Sequence, residues 1–548
     1  MVAQLDSYHM MVVSKYFDNL PDFIHIEFVC KKFYGNMSRF HFNPIPLTKT
    51  TIKYFSRIET LHIWSEYDNN FTNILSKYKN PECDNSNSFY QVVVWFPVDY
   101  KTTQNLQETN LVFKNVSYTK NDRTQFGKTI PSLIRSLGDN CFSMCNIKSI
   151  DFPSKLSSIG EDCFFTCEQL EHIEIPVFVK TIPKQCFMYC DSLTSFVISD
   201  NITSLGISCL AGCASLTSLT IPTSVEFIGE TCFCNCRNLK SIEMANNTKI
   251  TSLNIETFKN CRALLSIKVP QNVTAINSSC FEGCASLTLI DIPETLKRFG
   301  NMVFYGCCCL KTIHLPKNLT QLPLQFFNCC SSLSAVEIPR EIVCFNSSCF
   351  YGCSSLVNVR IPTSVTQLCD YCFAFCTTLT SVDIPQSVVY VGRGCFCQCH
   401  SLTSVNLPSK VSSLGNETFW MCTSLKHIEL PKRVVYINTF CFKECKSLTA
   451  ITLHDNIKAF ENQSFMECVA LSKISLPESV EVIKNSAFER CESLREIIIP
   501  ENVTRIGNRC FAECCKLSVV KSENSDLVVP DDCFKNCTAL VKTNLKKK

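Results

Sequence analysis

Apolar residues in Cys209–Glu230, CLAGCASLTSLTIPTSVEFIGE, follow an order that fills most of the chain. Leu216, Leu219 and Ile221 are set to face inward, the last two at the spacing of a strand. Pro222 has no N–H to give to a ladder and ends that strand. Val225 and Ile228 fill the next side of the unit, and Gly229 follows. Phe holds the place of Leu210 in seventeen of eighteen units, from Phe142 to Phe534. Successive units are 23 residues apart, with one step of 22 and one of 25, the latter between Phe233 and Phe258. Such a period means a solenoid, because no single unit buries its own apolar face. The column of Gly229 holds Gly or Asn in twelve of eighteen units, which predicts a corner with left-handed backbone. The C-F-x-x-C segment predicts one short helical turn with both cysteines on one face.

Two columns hold most of the 40 cysteines. The second is Cys in all eighteen units, from Cys145 to Cys537. The first is Cys in twelve and otherwise Thr257, Val303, Phe326, Thr418, Ser464 or Ala487. Val or Ala cannot replace a zinc ligand or a half-cystine, whereas small buried side chains exchange readily. The densest cluster, Cys395-Phe396-Cys397-Gln398-Cys399-His400, therefore reads as core packing ahead of a metal or redox site. Cys397 and His400 stand at variable positions of the unit. Invariance of the second column points beyond space filling, to an S–H donor that meets a carbonyl between coils. Coils stacked ~4.8 Å apart would bring column neighbours near disulfide range. A reducing compartment is therefore expected.

The stretch LTSLTIPTSVEFIGETCFCNC resembles the BspA-like (Treponema pallidum-type) leucine-rich repeats, in the variant with Cys before Phe. The resemblance covers residues 130–544. It implies a curved right-handed solenoid, mainly β, with a parallel sheet on one face and about eighteen coils. Members are protein-binding surfaces, some of them surface antigens or adhesins. No catalytic residues belong to the family, so none is carried over.

Between the two inward strand residues, one side chain per coil should point out onto the concave face. That column reads Asp151, Glu174, Val197, Thr220, Glu243, Lys268, Asp291, His314, Glu337, Arg360, Asp383, Asn406, Glu429, Thr452, Ser475 and Ile498. Acids alternate with Lys268, His314, Arg360 and Asn406 between Glu243 and Glu429. Neighbours in a parallel ladder interact, so a self-neutralising charge ladder is one reading. A stripe that faces a protein ligand is the other, centred on Asp291, His314, Glu337, Arg360 and Asp383. The flanking column adds His172 and His427 among Ser, Thr and Ala.

Residues 1–129 lack the 23-residue register. Residues 1–50 predict a small helical cap, with Met11, Val12, Tyr16 and Phe17 on one apolar face. Phe23, Ile26, Val29, Cys30 and Phe33 form another. DNLPDFIHIEFVCKKFYGNM resembles the second half of an F-box, without its leading motif. That resemblance implies a Skp1-type adaptor as partner, held by Met11, Val12, Phe17, Val29 and Phe33. Residues 51–129 carry strand-like runs, IETLHIW, YQVVVWFPVDY and NLVFKNVSY, and read as degenerate leading coils; SKYKNPECDNSNS reads as a loop. Residues 545–548 are a Lys-rich tail.

Composition adds exclusions. A net charge of +3 over 548 residues gives no support for nucleic-acid binding. No apolar run approaches a membrane span, and the N-terminus lacks a signal-peptide pattern. The expected location is cytoplasmic, with unconventional export to the cell surface as the alternative. HExxH, GxxxxGK[ST] and GxGxxG are absent from the sequence. A non-enzymatic chain with no cofactor and no metal is expected. Sequons at Asn272, Asn318 and Asn502 share one turn column, which turn preference explains.

Overall fold

The computed structural model describes residues 5–48, 51–68, 89–106, 110–543 and 545–547. The stretch expected to be a loop, residues 76–88, lies outside the described residues. Two compact units divide the chain: Met1–Cys167 with Ile173–Cys186, and Glu168–His172 with Phe187–Lys548.

In the first unit, Asp6 and Asn19 start two helices, α1 (Ser7–Ser14) and α2 (Leu20–Val29), by accepting from the N–H groups of His9 and Asp22. α2 is anchored by Phe23, which is fully buried. The rings of Phe17, Phe40 and Phe55 stand edge-on to it at 5.2, 5.9 and 5.6 Å. Strands Thr60–Ile63, Gln91–Val94 and Leu111–Phe113 then pair in parallel. Val98–Asp99, Val116–Tyr118 and Ser136–Leu137 form a second ladder. Val92 pairs with Leu111, Val98 with Val116 and Ser117 with Ser136, so these coils advance by 18 or 19 residues. Their third side is helical, Tyr100–Asn105 and Lys120–Phe126. The buried Asp122 carboxylate joins the two, accepting from the backbone N–H groups of Lys101 and Thr119 at 2.9 and 2.8 Å.

Each coil of the second unit has three sides. Ser218–Ile221 pairs in parallel with Ser241–Met244, in register from Ser218↔Ser241 to Ile221↔Met244. A two-residue strand, Phe227–Ile228, pairs with Ser204–Leu205. Leu216, Leu219, Ile221, Val225 and Ile228 are buried, as the apolar pattern requires.

The third side departs from the predicted helical turn. An i→i−3 bond does close it, Cys213 N–H to the Leu210 carbonyl at 3.3 Å. The residues that precede the two cysteines are left-handed, however: Ser208 at φ 53° and Gly212 at φ 76°. They turn alternate N–H groups outward. Ser208, Leu210 and Gly212 donate to Glu230, Cys232 and Cys234 of the next coil at 2.9, 3.0 and 2.7 Å. A helical turn would spend those donors internally. Left-handed backbone is costly for a side chain with Cβ; the bonds gained between coils offset that cost.

Left-handed backbone is therefore not what the Gly229 column provides. Gly229 has no positive φ, and a Cβ there would stand 2.5 Å from the Ile207 nitrogen of the preceding coil. Gly300, Gly392, Gly415 and Gly507 meet the same obstacle at 2.3–2.6 Å. Where Asn replaces Gly, its amide ties the coils: Asn346 Nδ2 donates to the Leu322 carbonyl at 2.8 Å and Asn438 Nδ2 to Leu414 at 2.5 Å.

Both core columns are interior, and they differ in what their sulfurs do. At Cys167 and in each unit from Cys213 to Cys537, the second cysteine's S–H donates to the carbonyl at the Phe position of the preceding coil, at 3.0–3.3 Å. The same carbonyl accepts its own coil's second cysteine N–H, as Phe350 does from Cys353 at 3.1 Å. N–H groups on this side point to the following coil, so none returns to that carbonyl, and the thiol supplies the missing donor. Beside this ladder the Phe rings stack without a break from Phe233 to Phe534, centroids 5.1–5.9 Å apart.

Two predictions follow from this packing. Cys372→Ala and Cys376→Ala remove the same atoms from one coil, but only Cys376 donates, to Phe350 at 3.2 Å. Urea unfolding should show Cys376→Ala about 1 kcal/mol less stable than Cys372→Ala; equal losses would leave the ladder without energetic weight. The second concerns His62, whose imidazole burial and nearby Lys114 pull from 6.5 down to about 4. Between those values the unfolded ring takes a proton that the folded ring refuses. Stability of the first unit should fall as pH drops through this window. Fluorescence of Trp64 and Trp95, stacked at 5.4 Å beside His62, reports it, and His62→Gln should flatten the slope.

Candidate protein-binding face

Strand periodicity sends one side chain per coil outward between two buried ones. Ser266–Lys268 and Leu289–Asp291 show it, each with a buried Ile between exposed neighbours. Asp291, His314, Glu337, Arg360 and Asp383 are all exposed and fall in this one column. Lys268 pairs in register with Asp291, Arg360 with Asp383, and Asp383 with Asn406. Register does not produce ion pairs. His314 turns to Glu294, Nε2 to Oε1 at 2.8 Å, and not to Asp291 or Glu337. That contact, with the Lys317 N–H at 3.2 Å, holds the Glu294 carboxyl below its ordinary range. Among the described residues, Asp291, Glu337, Arg360 and Asp383 have no salt-bridge partner within 4.0 Å. Apart from His314, which Glu294 meets, the column from Asp291 to Asp383 is thus a row of exposed charges without ion-pair partners among the described residues.

An open groove of about 430 Å³ interrupts this face. It is lined by Ser241, Glu243, Met244, Asn246, Ser266 and Lys268. Its position follows from the 25-residue unit, where Ala245-Asn246-Asn247-Thr248-Lys249 replaces the strand-ending proline and lengthens the corner. The irregular spacing marked this unit in the sequence; the groove itself was not foreseen. A charge network on the turn side also escaped notice. There Arg490 bridges Glu467 and Glu513 at 3.0 and 2.9 Å, and Arg509 meets Glu489 at 2.5 Å.

The structure separates the five residues assigned to an adaptor. Phe33 is buried, Met11, Val12 and Phe17 are half-buried, and Val29 is 66% exposed. Met10 and Ser14 form the inner face of α1, while Tyr16 points to solvent. Phe28, next to Val29 in α2, and Tyr34, after the turn Lys31–Phe33, are more exposed than Val29, at 83% and 76%.

The cysteine-histidine cluster resolves into separate contacts. Cys395, Cys397 and Cys399 are buried. Cys399 donates to the Phe373 carbonyl at 3.1 Å, and His400 Nδ1 lies 3.1 Å from the Met421 carbonyl. Burial pushes the Cys397 thiol up to about 12 and Cys399 well above its ordinary value. Among the described residues, no three His, Cys, Asp or Glu side chains converge to hold a metal ion, and no helix is long and apolar enough to cross a membrane.

Short parallel strands on successive coils, with Leu and Ile columns inside, define a leucine-rich repeat protein. Residues 120–240, 227–357, 322–432 and 412–541 match the family described as BspA type leucine rich repeat region. The chain belongs to that family. Among solved structures it is similar to a leucine-rich repeat protein of Bacteroides ovatus, at 25% identity and TM-score 0.36, over 76% of this chain and 87% of that one. It is similar too to a leucine rich cell surface protein of Faecalibacterium prausnitzii, at 21% identity and TM-score 0.34, over 77% and 87%. A leucine-rich repeat protein of Treponema pallidum matches at 24% identity and TM-score 0.26, over 36% and 78%. No curated protein matches the chain.

The thiol environments give a direct check. Cys30, Cys308, Cys309 and Cys515 are exposed and Cys329, Cys344, Cys369 and Cys537 half-buried, while the other described cysteines are buried. Among the described cysteines, a coloured thiol reagent should titrate only this minority in the native protein and the remainder after unfolding. Complete native titration would contradict the buried columns.

Proposed function

We propose that this chain is a non-enzymatic, protein-binding scaffold that reads its partner with the outward strand column centred on Asp291, His314, Glu337, Arg360 and Asp383. The observation that carries this reading is that Asp291, Glu337, Arg360 and Asp383 are exposed on one parallel ladder without ion-pair partners among the described residues. Charges of alternating sign at a fixed repeat favour a partner with the complementary order and oppose others. Small side chains beside the column, Ser266 and Ser381 among them, leave room for a partner's backbone.

A second role is favoured by Phe28, Val29 and Tyr34. Large apolar side chains exposed at the end of α2, Phe28 and Val29, and Tyr34 just beyond the turn that follows it suit an adaptor contact of the F-box type, with a Skp1-type adaptor as partner and the repeats selecting what is delivered. The scaffold would serve equally in the cytoplasm or, in the alternative reading, as an adhesive protein at the cell surface. Sugar on an exposed sequon such as Asn318 and labelling on intact cells would mark the second location.

The test compares three full-length proteins in native extract. Asp291→Lys with Glu337→Lys and Asp383→Lys should lose bound proteins that the unaltered chain retains. Lys297→Glu with Arg298→Glu, on the short-strand side, should retain them. Identical partners on all three, with unchanged circular dichroism, would remove the strand column from recognition. Phe28→Asp with Val29→Asp should release the adaptor alone.

A further inference from the structure

Cys344 and Cys369 stand outside both core columns and face each other. Cys344 begins the two-residue strand Cys344–Phe345, and Cys369 directly follows Gln367–Leu368 of the next coil. Cys344 pairs in register with Gln367, and the Cys369 N–H donates to the Phe345 carbonyl at 3.1 Å. Their sulfurs are 3.7 Å apart and both residues are half-buried. Nothing in the repeat asks for sulfur at either place. Other coils put Phe227, Gln321, Gln367 or Tyr390 in the first position, and Gly or Asn in most of the second. Cys209 and Cys232 are closer still, at 3.5 Å, but both are fully buried, where a soluble reagent does not reach.

We propose that Cys344 and Cys369 form a reversible disulfide between neighbouring coils by exchange with a small soluble disulfide of the glutathione type. One protein thiolate attacks a sulfur of oxidised glutathione, the S–S bond breaks and one glutathione thiol leaves. The second protein thiolate attacks the mixed disulfide and expels the other glutathione thiol. Two protein thiols lose two electrons and two protons, which the small disulfide takes up. The sulfurs close from 3.7 Å to about 2.05 Å. Burial and the Cys344 sulfur push the Cys369 thiol up to about 12, so exchange is slow and the incubation is long. The bond ties the two coils that present Glu337 and Arg360, yet its formation does not depend on that face being a binding site.

Folded, full-length protein is incubated with oxidised glutathione, alkylated, unfolded, digested and mapped by mass spectrometry. The expected product is a Cys344–Cys369 cross-link that accounts for the loss of two hydrogens and disappears on treatment with dithiothreitol. Cys344→Ser should abolish the cross-link and leave Cys369 free or singly glutathionylated. The proposal is overturned if the unaltered protein yields both cysteines free or separately glutathionylated. A cross-link at Cys209–Cys232 or through Cys308 in place of this pair overturns it as well.

Discussion

The carbonyl at the Phe position of each coil has two lone pairs and only one backbone N–H to fill them. Its own coil's second cysteine N–H takes the first, as Cys353 does at Phe350. N–H groups on that side are aimed at the following coil, so the second lone pair faces a buried surface with no amide donor. A small side chain with a donor must come from the next coil, and Cys376 Sγ at 3.2 Å is such a group. An unfilled carbonyl in the interior costs about 1–3 kcal/mol, and the deficit recurs at every coil. The second cysteine column answers that repeated need.

Other features of the repeat serve the same close stacking. Left-handed residues such as Ser208 and Gly212, ahead of the two cysteine positions, free the N–H groups that bind the next coil. Glycine at Gly229 lets two backbones approach where a Cβ would collide with the Ile207 nitrogen. The first cysteine column faces no such demand, which explains why Val303, Phe326 and Ala487 stand there, all fully buried. A rigid ladder of this kind holds its outward side chains at a fixed interval. Alternating charges from Lys268 to Asp383 can then act as one surface.

Much of the solenoid was legible in the sequence because burial repeats. Strand alternation at Leu219 and Ile221, the proline stop and the invariance of the second cysteine all translate directly into packing. Local backbone was less legible. Cys-Phe-x-x-Cys has helical spacing, and nothing in its composition announces left-handed φ at residues as varied as Ser208, Thr231 and Tyr371. Glycine suggested left-handed backbone at Gly229 because its other use, permitting close approach, depends on a neighbouring coil. Periodicity put Asp291, His314, Glu337, Arg360 and Asp383 on the outward side of the strands, where they are exposed; the partner of His314 was not legible, since Glu294 lies in a corner outside that column. Near the N-terminus, Met10 rather than Met11 turns inward, because α1 is too short for its apolar pattern to single out one face.

Thiols bridge the coils as hydrogen-bond donors, as Cys376 does to the Phe350 carbonyl. The S–H stretching band, read by infrared or Raman spectroscopy in native and unfolded protein, tests this bonding most directly. A native band dominated by hydrogen-bonded thiols is expected, shifted to lower frequency and narrowed, and returning to the free-thiol position on unfolding. A native band at the free-thiol position would contradict it and leave the cysteine column as packing alone.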